Sequence, residues 1–289
     1  MNKLSILYIV LAGVSWGTAG IFVNNLSPYG FSSVQMTSMR NIVAAIVMFS
    51  YILIKTPSQL KAPLKEIGLF MISGILVFAT GSFYYMTMQL TTQSTAVVLM
   101  YAAPILVTIV SVFFMGEKLT RKKVFAITLN FVGCGLVAGI IGGMKFSAAG
   151  IVTGILSAVC YGLYNLFSKI EMRRGNDALT ATAYCFLMAA VLGLCIGRPV
   201  DIVKTISTDA LKILPFAIGI GLFTGALPYF LYNLASKKLP AGIASALSSI
   251  EPLTAAIISF TLYREPMSFQ SVAGIIALFA AVIILSRSE

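Results

Sequence analysis

The chain has 289 residues, 58% of them hydrophobic and only 10% charged, with a formal net charge of +11. Soluble domains carry about 25% charged residues, so this composition excludes a soluble globular protein and indicates an integral membrane protein. The excess Lys and Arg sit in short gaps between apolar runs and form no basic face, which sets nucleic acid aside as a partner and leaves orientation in a lipid bilayer as their role.

A bilayer core of roughly 30 Å is crossed by about 20 residues of helix. The first segment, 4–24, lies in "MNKLSILYIVLAGVSWGTAGIFV", too long an apolar run for a signal peptide. Segment 32–54 carries Arg40 inside it, and 67–88 follows. Next come 93–114, with Pro104, and then 123–142. The second half holds 147–170, 178–197 and 212–235, joined in part by the polar connection "GRPVDIVKTISTDALK". Segments 241–262, with Glu251 and Pro252, and 267–286 complete ten predicted spans. No run alternates with period two, so a β-barrel is excluded and the expected class is an all-α integral membrane protein.

Positive charge sets the orientation. One side holds Lys3, Lys55, Lys61, Lys65, Lys118, Arg121, Lys122, Lys123, Lys169, Arg173, Arg174, Lys237, Lys238 and Arg287. The other holds Lys145, Arg198, Lys204, Lys212 and Arg264. Both termini are therefore predicted on the cytoplasmic side.

The chain also repeats itself. "LMYAAPILVTIVSVFFMGE" at 99–117 aligns without a gap on "LSSIEPLTAAIISFTLYRE" at 247–265. That register matches Pro104 to Pro252, Ser111 to Ser259, Glu117 to Glu265 and Tyr84 to Tyr232. "SWGTAGIF" at 15–22 parallels "CYGLYNLF" at 160–167, matching Trp16 to Tyr161. The chain thus divides into 1–143 and 147–289, five predicted spans each. Five is odd, so the second copy enters the bilayer from the opposite face. The basic loop at Lys118–Lys123 against the lone Arg264 in its counterpart follows that inversion. Inverted repeats belong to secondary transporters, whose two halves exchange roles around a site near the midplane.

Ten predicted helices, the five-plus-five repeat, "SWGTAGIF", the arginine of the second segment, "GEKLT" after the fourth and the "EP" and "YREPMS" of the second copy resemble the drug/metabolite transporter superfamily, in particular its EamA-type branch. "YRE" at 263–265 departs from the "MGE" of the first copy. The resemblance spans essentially the whole chain. It implies a carrier of small organic metabolites, often an exporter of amino acids or related compounds, and leaves sugars, nucleotide-sugars, amines and drugs open.

Glu251 lies roughly 15 Å from either end of its segment, at the bilayer centre, and Arg40 about 12 Å below the outer face. A charge at that depth costs about 2.5–3.5 kcal/mol on insertion scales, so each must be paired, protonated or in a wet cavity. Two readings stand: a structural Arg40–Glu251 ion pair, or a transport site in which Glu251 takes a proton or an amine and Arg40 a carboxylate. With no histidine in the chain, proton coupling through a side chain runs through Glu251. Trp16, Tyr101, Tyr161 and Asn165 are the favoured cavity lining. Tyr84, Tyr85, Tyr232 and Asn233, nearer the segment ends, compete with a place in the interfacial belt. Pro104 and Pro252, equivalent in the repeat, are expected mid-helix as gating bends or static kinks.

Gly135, Gly139 and Gly143, and Gly150 with Gly154, have GxxxG spacing, favouring close packing within the chain over a homodimer contact; a monomer and a homodimer both stay open. Cys134, Cys160, Cys185 and Cys195 lie inside apolar runs without a CxxC pair and are expected as free buried thiols, with no metal site. "GVSWG" at 13–17 fits a serine-hydrolase elbow but has neither strand nor histidine beside it. No P-loop, HExxH or GxGxxG occurs, so no cofactor is called for. The expectation is a non-enzymatic secondary transporter in the cytoplasmic membrane, acting on a small metabolite. An intramembrane enzyme or sensor, or an uptake carrier or facilitator for a cationic amine, drug or sugar, are the alternatives.

Overall fold

The structure, a computed structural model, describes residues 3–61, 63–91, 93–116, 118–137, 147–248, 250–262 and 269–286. Glu117, Gly139, Gly143, Lys145, Arg264, Glu265 and Arg287 lie outside them. Every regular element among the described residues is helical. In chain order these are α1 (Lys3–Gly17), α2 (Ala19–Leu26), α3 (Ser33–Lys55), α4 (Ile67–Leu90), α5 (Gln93–Met100), α6 (Ala103–Met115) and α7 (Arg121–Val137). The second half holds α8 (Ala148–Arg173), α9 (Ala178–Ile196), α10 (Pro199–Thr208), α11 (Ala210–Gly221), α12 (Leu227–Ser236), α13 (Ala241–Leu247), α14 (Ile250–Leu262) and α15 (Phe269–Ser286).

Seven stretches among the described residues are long and apolar enough to cross a membrane: Lys3–Tyr29, Ser33–Lys55, Leu64–Leu90, Thr95–Phe114, Ala148–Arg173, Ala178–Ile196 and Ala210–Ser236. Of the segments predicted at 123–142, 241–262 and 267–286, the described residues contain α7, α13 with α14, and α15. Helix α1 shows what solvent this fold is built for. Ile9, Ala12 and Trp16 face inward, while Leu4, Leu7, Leu11 and Val14 are exposed at helical spacing. A helix apolar on its outer face as well belongs in lipid.

Local chemistry sets the helix starts. Ser32 and Gln35 form a reciprocal capping box that opens α3. The Ser147 hydroxyl accepts from the Gly150 N–H and opens α8, and the Asp177 carboxylate accepts from the Leu179 and Thr180 N–H groups and opens α9. These satisfy donors that lipid would otherwise leave bare.

Four predicted spans are interrupted. The first breaks at Thr18, whose N–H and hydroxyl both turn back to the Ser15 carbonyl. The fourth breaks at Tyr101–Ala102, and the ninth after Leu247. The eighth widens into a π-helical turn at Leu222–Ala226. Pro228 lies just beyond and has no N–H for the Thr224 carbonyl, and a wider turn accommodates such a ring. The Ser15 hydroxyl donates to the Phe223 carbonyl inside that turn, at 2.5 Å. Pro104 and Pro252 therefore do not bend continuous helices. Each stands in the first turn of a helix that restarts after a break, where a missing N–H costs little.

The connection after α9, read from sequence as a polar loop, contains helix α10. Arg198 takes a left-handed conformation (φ 53°), Pro199 starts the helix, and Ile202 and Ile206 turn one face onto the core. Of the four thiols, Cys134 and Cys185 are buried; Cys160 is half-buried and Cys195 exposed, because helices in lipid also direct apolar side chains outward.

Close helix contacts are made by glycine. A Cβ on Gly74 of α4 would lie 2.7 Å from the Cys185 carbonyl oxygen and 2.7 Å from Met188 Cβ on α9. Neither atom can rotate away. Gly74→Ala is therefore expected to destabilise the fold by about 1–3 kcal/mol, despite the better helix propensity of alanine. Thermal melting in detergent checks this, and an unchanged midpoint would contradict the close approach. Gly150 and Gly154 pack inside the molecule, against Thr91 and Leu99.

Candidate functional site

The interruptions converge. Trp16 precedes the first break, Tyr101 sits in the second, Thr224 in the π-turn, and Glu251 follows the break between α13 and α14. Trp16, Thr224 and Glu251 line one cavity of about 30 Å³, together with Ala19, Arg40, Met100, Tyr161 and Tyr229. Helix α4 adds Thr80, Gly81, Tyr84 and Tyr85. That volume holds roughly two waters.

Glu251 is buried, and the break at Ser248 lets tyrosines reach it. Tyr84 Oη donates to Oε1 at 3.2 Å. Tyr101 Oη lies 3.1 Å from Oε2 and 2.8 Å from the Ser248 carbonyl oxygen, so its single proton serves one of the two. Tyr161 Oη meets the Ser248 hydroxyl at 3.2 Å. A carboxylate accepts about four hydrogen bonds, so capacity remains on Glu251.

Arg40 is equally buried and does not pair with Glu251. Nη2 donates to the Val77 carbonyl at 3.1 Å and Nε to Asn41 Oδ1 at 3.2 Å. The guanidinium also stands 5.8 Å from the Tyr85 ring centroid and 5.9 Å from that of Tyr229. No carboxylate among the described residues reaches it within ion-pair distance. The ion-pair reading is thus corrected: one cavity carries a basic and an acidic side chain, each held by neutral partners. The helix 2–helix 9 lock fails because tyrosine hydroxyls from α4 and the break before α6 occupy the carboxylate instead.

The aromatic wall is a connected cluster. Trp16 meets Tyr229 edge-on at 5.2 Å and Tyr161 at 6.0 Å, and Tyr232 packs at 5.9 Å. Tyr164 meets Tyr229 at 5.1 Å.

The sequence model of the EamA-like transporter family matches residues 3–139 and 148–287. The chain belongs to that family. An Archaeoglobus fulgidus protein named an uncharacterized transporter is 26% identical over 281 residues, covering 96% of this chain and 95% of its own length. The uncharacterized transporter YyaM of Bacillus subtilis is 27% identical, covering 98% and 94%. A crystal structure 17% identical in sequence shares the fold, with a TM-score of 0.79 over 98% of this chain and 96% of the other.

In this EamA-like transporter, Trp16, Arg40, Tyr161 and Glu251 line the cavity as named from sequence, and Tyr101 supports it through Glu251. Asn165 does not: it is fully buried away from the cavity lining and donates to Ser245 Oγ of α13 at 3.1 Å. Tyr84 and Tyr85 line the cavity instead of the bilayer interface, because α4 runs beyond them to Leu90. Tyr232 and Asn233 are also interior. Asn233 accepts from Tyr164 and Ser168 and donates to Thr182. Thr80, Gly81, Met100 and Thr224 carry no signal in the sequence that separates them from core residues.

A second polar layer closes the ends of α4, α8 and α12. Glu171 accepts from Ser73 Oγ at 2.6 Å, and Asn176 donates to Glu66 Oε2 at 3.1 Å. Lys169, counted from sequence as a loop charge, is buried and donates to the Ser236 and Leu239 carbonyls. The first ends α12, where a cation is favoured, and the second lies in the turn that follows.

Proposed function

We propose that this protein is a secondary transporter of a small organic metabolite carrying both an amine and a carboxylate, an amino acid or a related zwitterion, and that it exports this compound across the cytoplasmic membrane by alternating access. One observation carries the reading. A basic side chain, Arg40, and an acidic one, Glu251, both desolvated, line the same aromatic cavity without pairing with each other. Buried charges are expensive unless partnered, and a zwitterion supplies both partners at once. Glu251 takes the amine, the aromatic rings add cation–π attraction, and Arg40 takes the carboxylate.

The cavity is smaller than any amino acid, and in this reading it is the collapsed site of a closed state, with the rings in the path. Ten spans in two inverted halves, with both termini cytoplasmic, supply the mechanism. The two matched ranges, 3–139 and 148–287, support the two-half reading. So does the meeting of repeat-equivalent positions at the cavity, where Trp16 touches Tyr161.

Purified protein in liposomes should accumulate labelled L-leucine or L-phenylalanine against a preloaded unlabelled pool, with saturation and counter-substrate acceleration. Isoamylamine and phenethylamine, the same compounds without the carboxylate, should compete at least tenfold more weakly. Flux that never saturates, or amines competing as well as the acids, would refute the proposal.

A further inference from the structure

The guanidinium of Arg40 has five N–H donors. Two are used, toward Val77 and Asn41, and no further acceptor for it occurs among the described residues. The place the group occupies against α4 is open because Gly81 carries no side chain there. A Cβ on Gly81 would stand 2.7 Å from Arg40 Nη2 and 2.9 Å from Cζ, closer than real Cβ atoms approach, and 3.1 Å from Nη1. These three are the nearest atoms to that position, and all belong to the guanidinium. Gly81 lines the cavity as well. The repeat register that carries Tyr84 onto Tyr232 carries Gly81 onto Tyr229, the ring lying 5.9 Å from the same guanidinium. One position is emptied and its counterpart filled with an aromatic face, and Arg40 lies against both.

We infer that Gly81 is a specificity-determining residue, which seats the Arg40 guanidinium where it can take the substrate's carboxylate. The inference rests on the carboxylate role proposed for Arg40. It does not rest on helix packing, because the atoms that a methyl group would strike are the far end of a flexible side chain. Gly81→Ala also replaces a mid-helix glycine with a better helix former. The substitution should therefore leave the fold intact, push the guanidinium aside and remove selectivity for the acid over the amine. A residue with a packing role alone would lower the melting temperature and leave that selectivity unchanged.

Trp16 is the chain's single tryptophan and lines this cavity, so its fluorescence reports binding without a label. The probes are L-leucine with isoamylamine and L-phenylalanine with phenethylamine, titrated against wild type, Gly81→Ala, Arg40→Met and the double variant. The expected result is at least tenfold weaker binding of the two acids to Gly81→Ala and unchanged binding of the amines, with a cooperative melt that falls no further than that of Arg40→Met. In the Arg40→Met background, Gly81→Ala should add no further loss, since coupled sites are non-additive. Retention of acid selectivity by Gly81→Ala would overturn the role of Gly81 while leaving that of Arg40 standing. So would full additivity with Arg40→Met. A wild type that binds acid and amine equally, or binds none of the four, overturns the carboxylate reading and this inference with it.

Discussion

Glu251→Gln is expected to fold like the wild-type protein and to lose transport of L-leucine and L-phenylalanine by roughly 10- to 100-fold. Glutamine has the same shape, and its amide oxygen still accepts from one of the two tyrosines that now hold Oε1 and Oε2. What disappears is the acidic group that the proposed substrate amine would meet. Hydrogen bonds to charged groups contribute about 1.5–3 kcal/mol, and every 1.4 kcal/mol is about tenfold in binding. Initial rates of counterflow with the melting temperature of the same preparation check this. A variant that melts normally and transports normally would remove Glu251 from the site. One that unfolds would make the carboxylate a structural acceptor for Tyr84 and Tyr101, and transport by Glu251→Asp, which keeps the acid, would then follow folding alone.

Arg40→Met separates the site from the lock. Had Arg40 been the partner of Glu251, its removal would leave a buried carboxylate unpaired, at a cost of about 3–5 kcal/mol. Among the described residues Arg40 meets no carboxylate, but the Val77 carbonyl, Asn41 and two ring faces. Methionine keeps an apolar stem of similar reach and removes a desolvated charge. The expected change in stability is below about 2 kcal/mol in either direction. Transport of the two acids should fall roughly 10- to 100-fold, while the matching amines compete as before. Chemical denaturation in micelles and competition counterflow measure the two quantities. A large loss of stability with selectivity intact would restore the structural reading.

Depth, charge and class are legible in the sequence. Glu251 and Arg40 stand out because lipid makes a charge costly wherever it lies in the chain, so their presence inside apolar segments implies an interior site. Trp16 and Tyr161 follow from the repeat. Asn165 is misplaced because sequence shows that an amide needs a partner in lipid but not which helix provides it; here Ser245 of α13 does. Tyr84 and Tyr85 are ambiguous in sequence because their distance from a segment end depends on where the helix stops, and the apolar run ends two residues short of Leu90.

By itself the sequence determined the solvent, the helical class, the family and the two charges, since each depends on composition or on spacing along one chain. Tertiary structure alone decided that the charges do not meet, that Pro104 and Pro252 follow breaks, and that Gly81 leaves room for Arg40. Those facts depend on which helix faces which across the cavity. Side chains far apart in sequence compete for the same partner there, and tyrosine hydroxyls rather than a guanidinium hold the carboxylate.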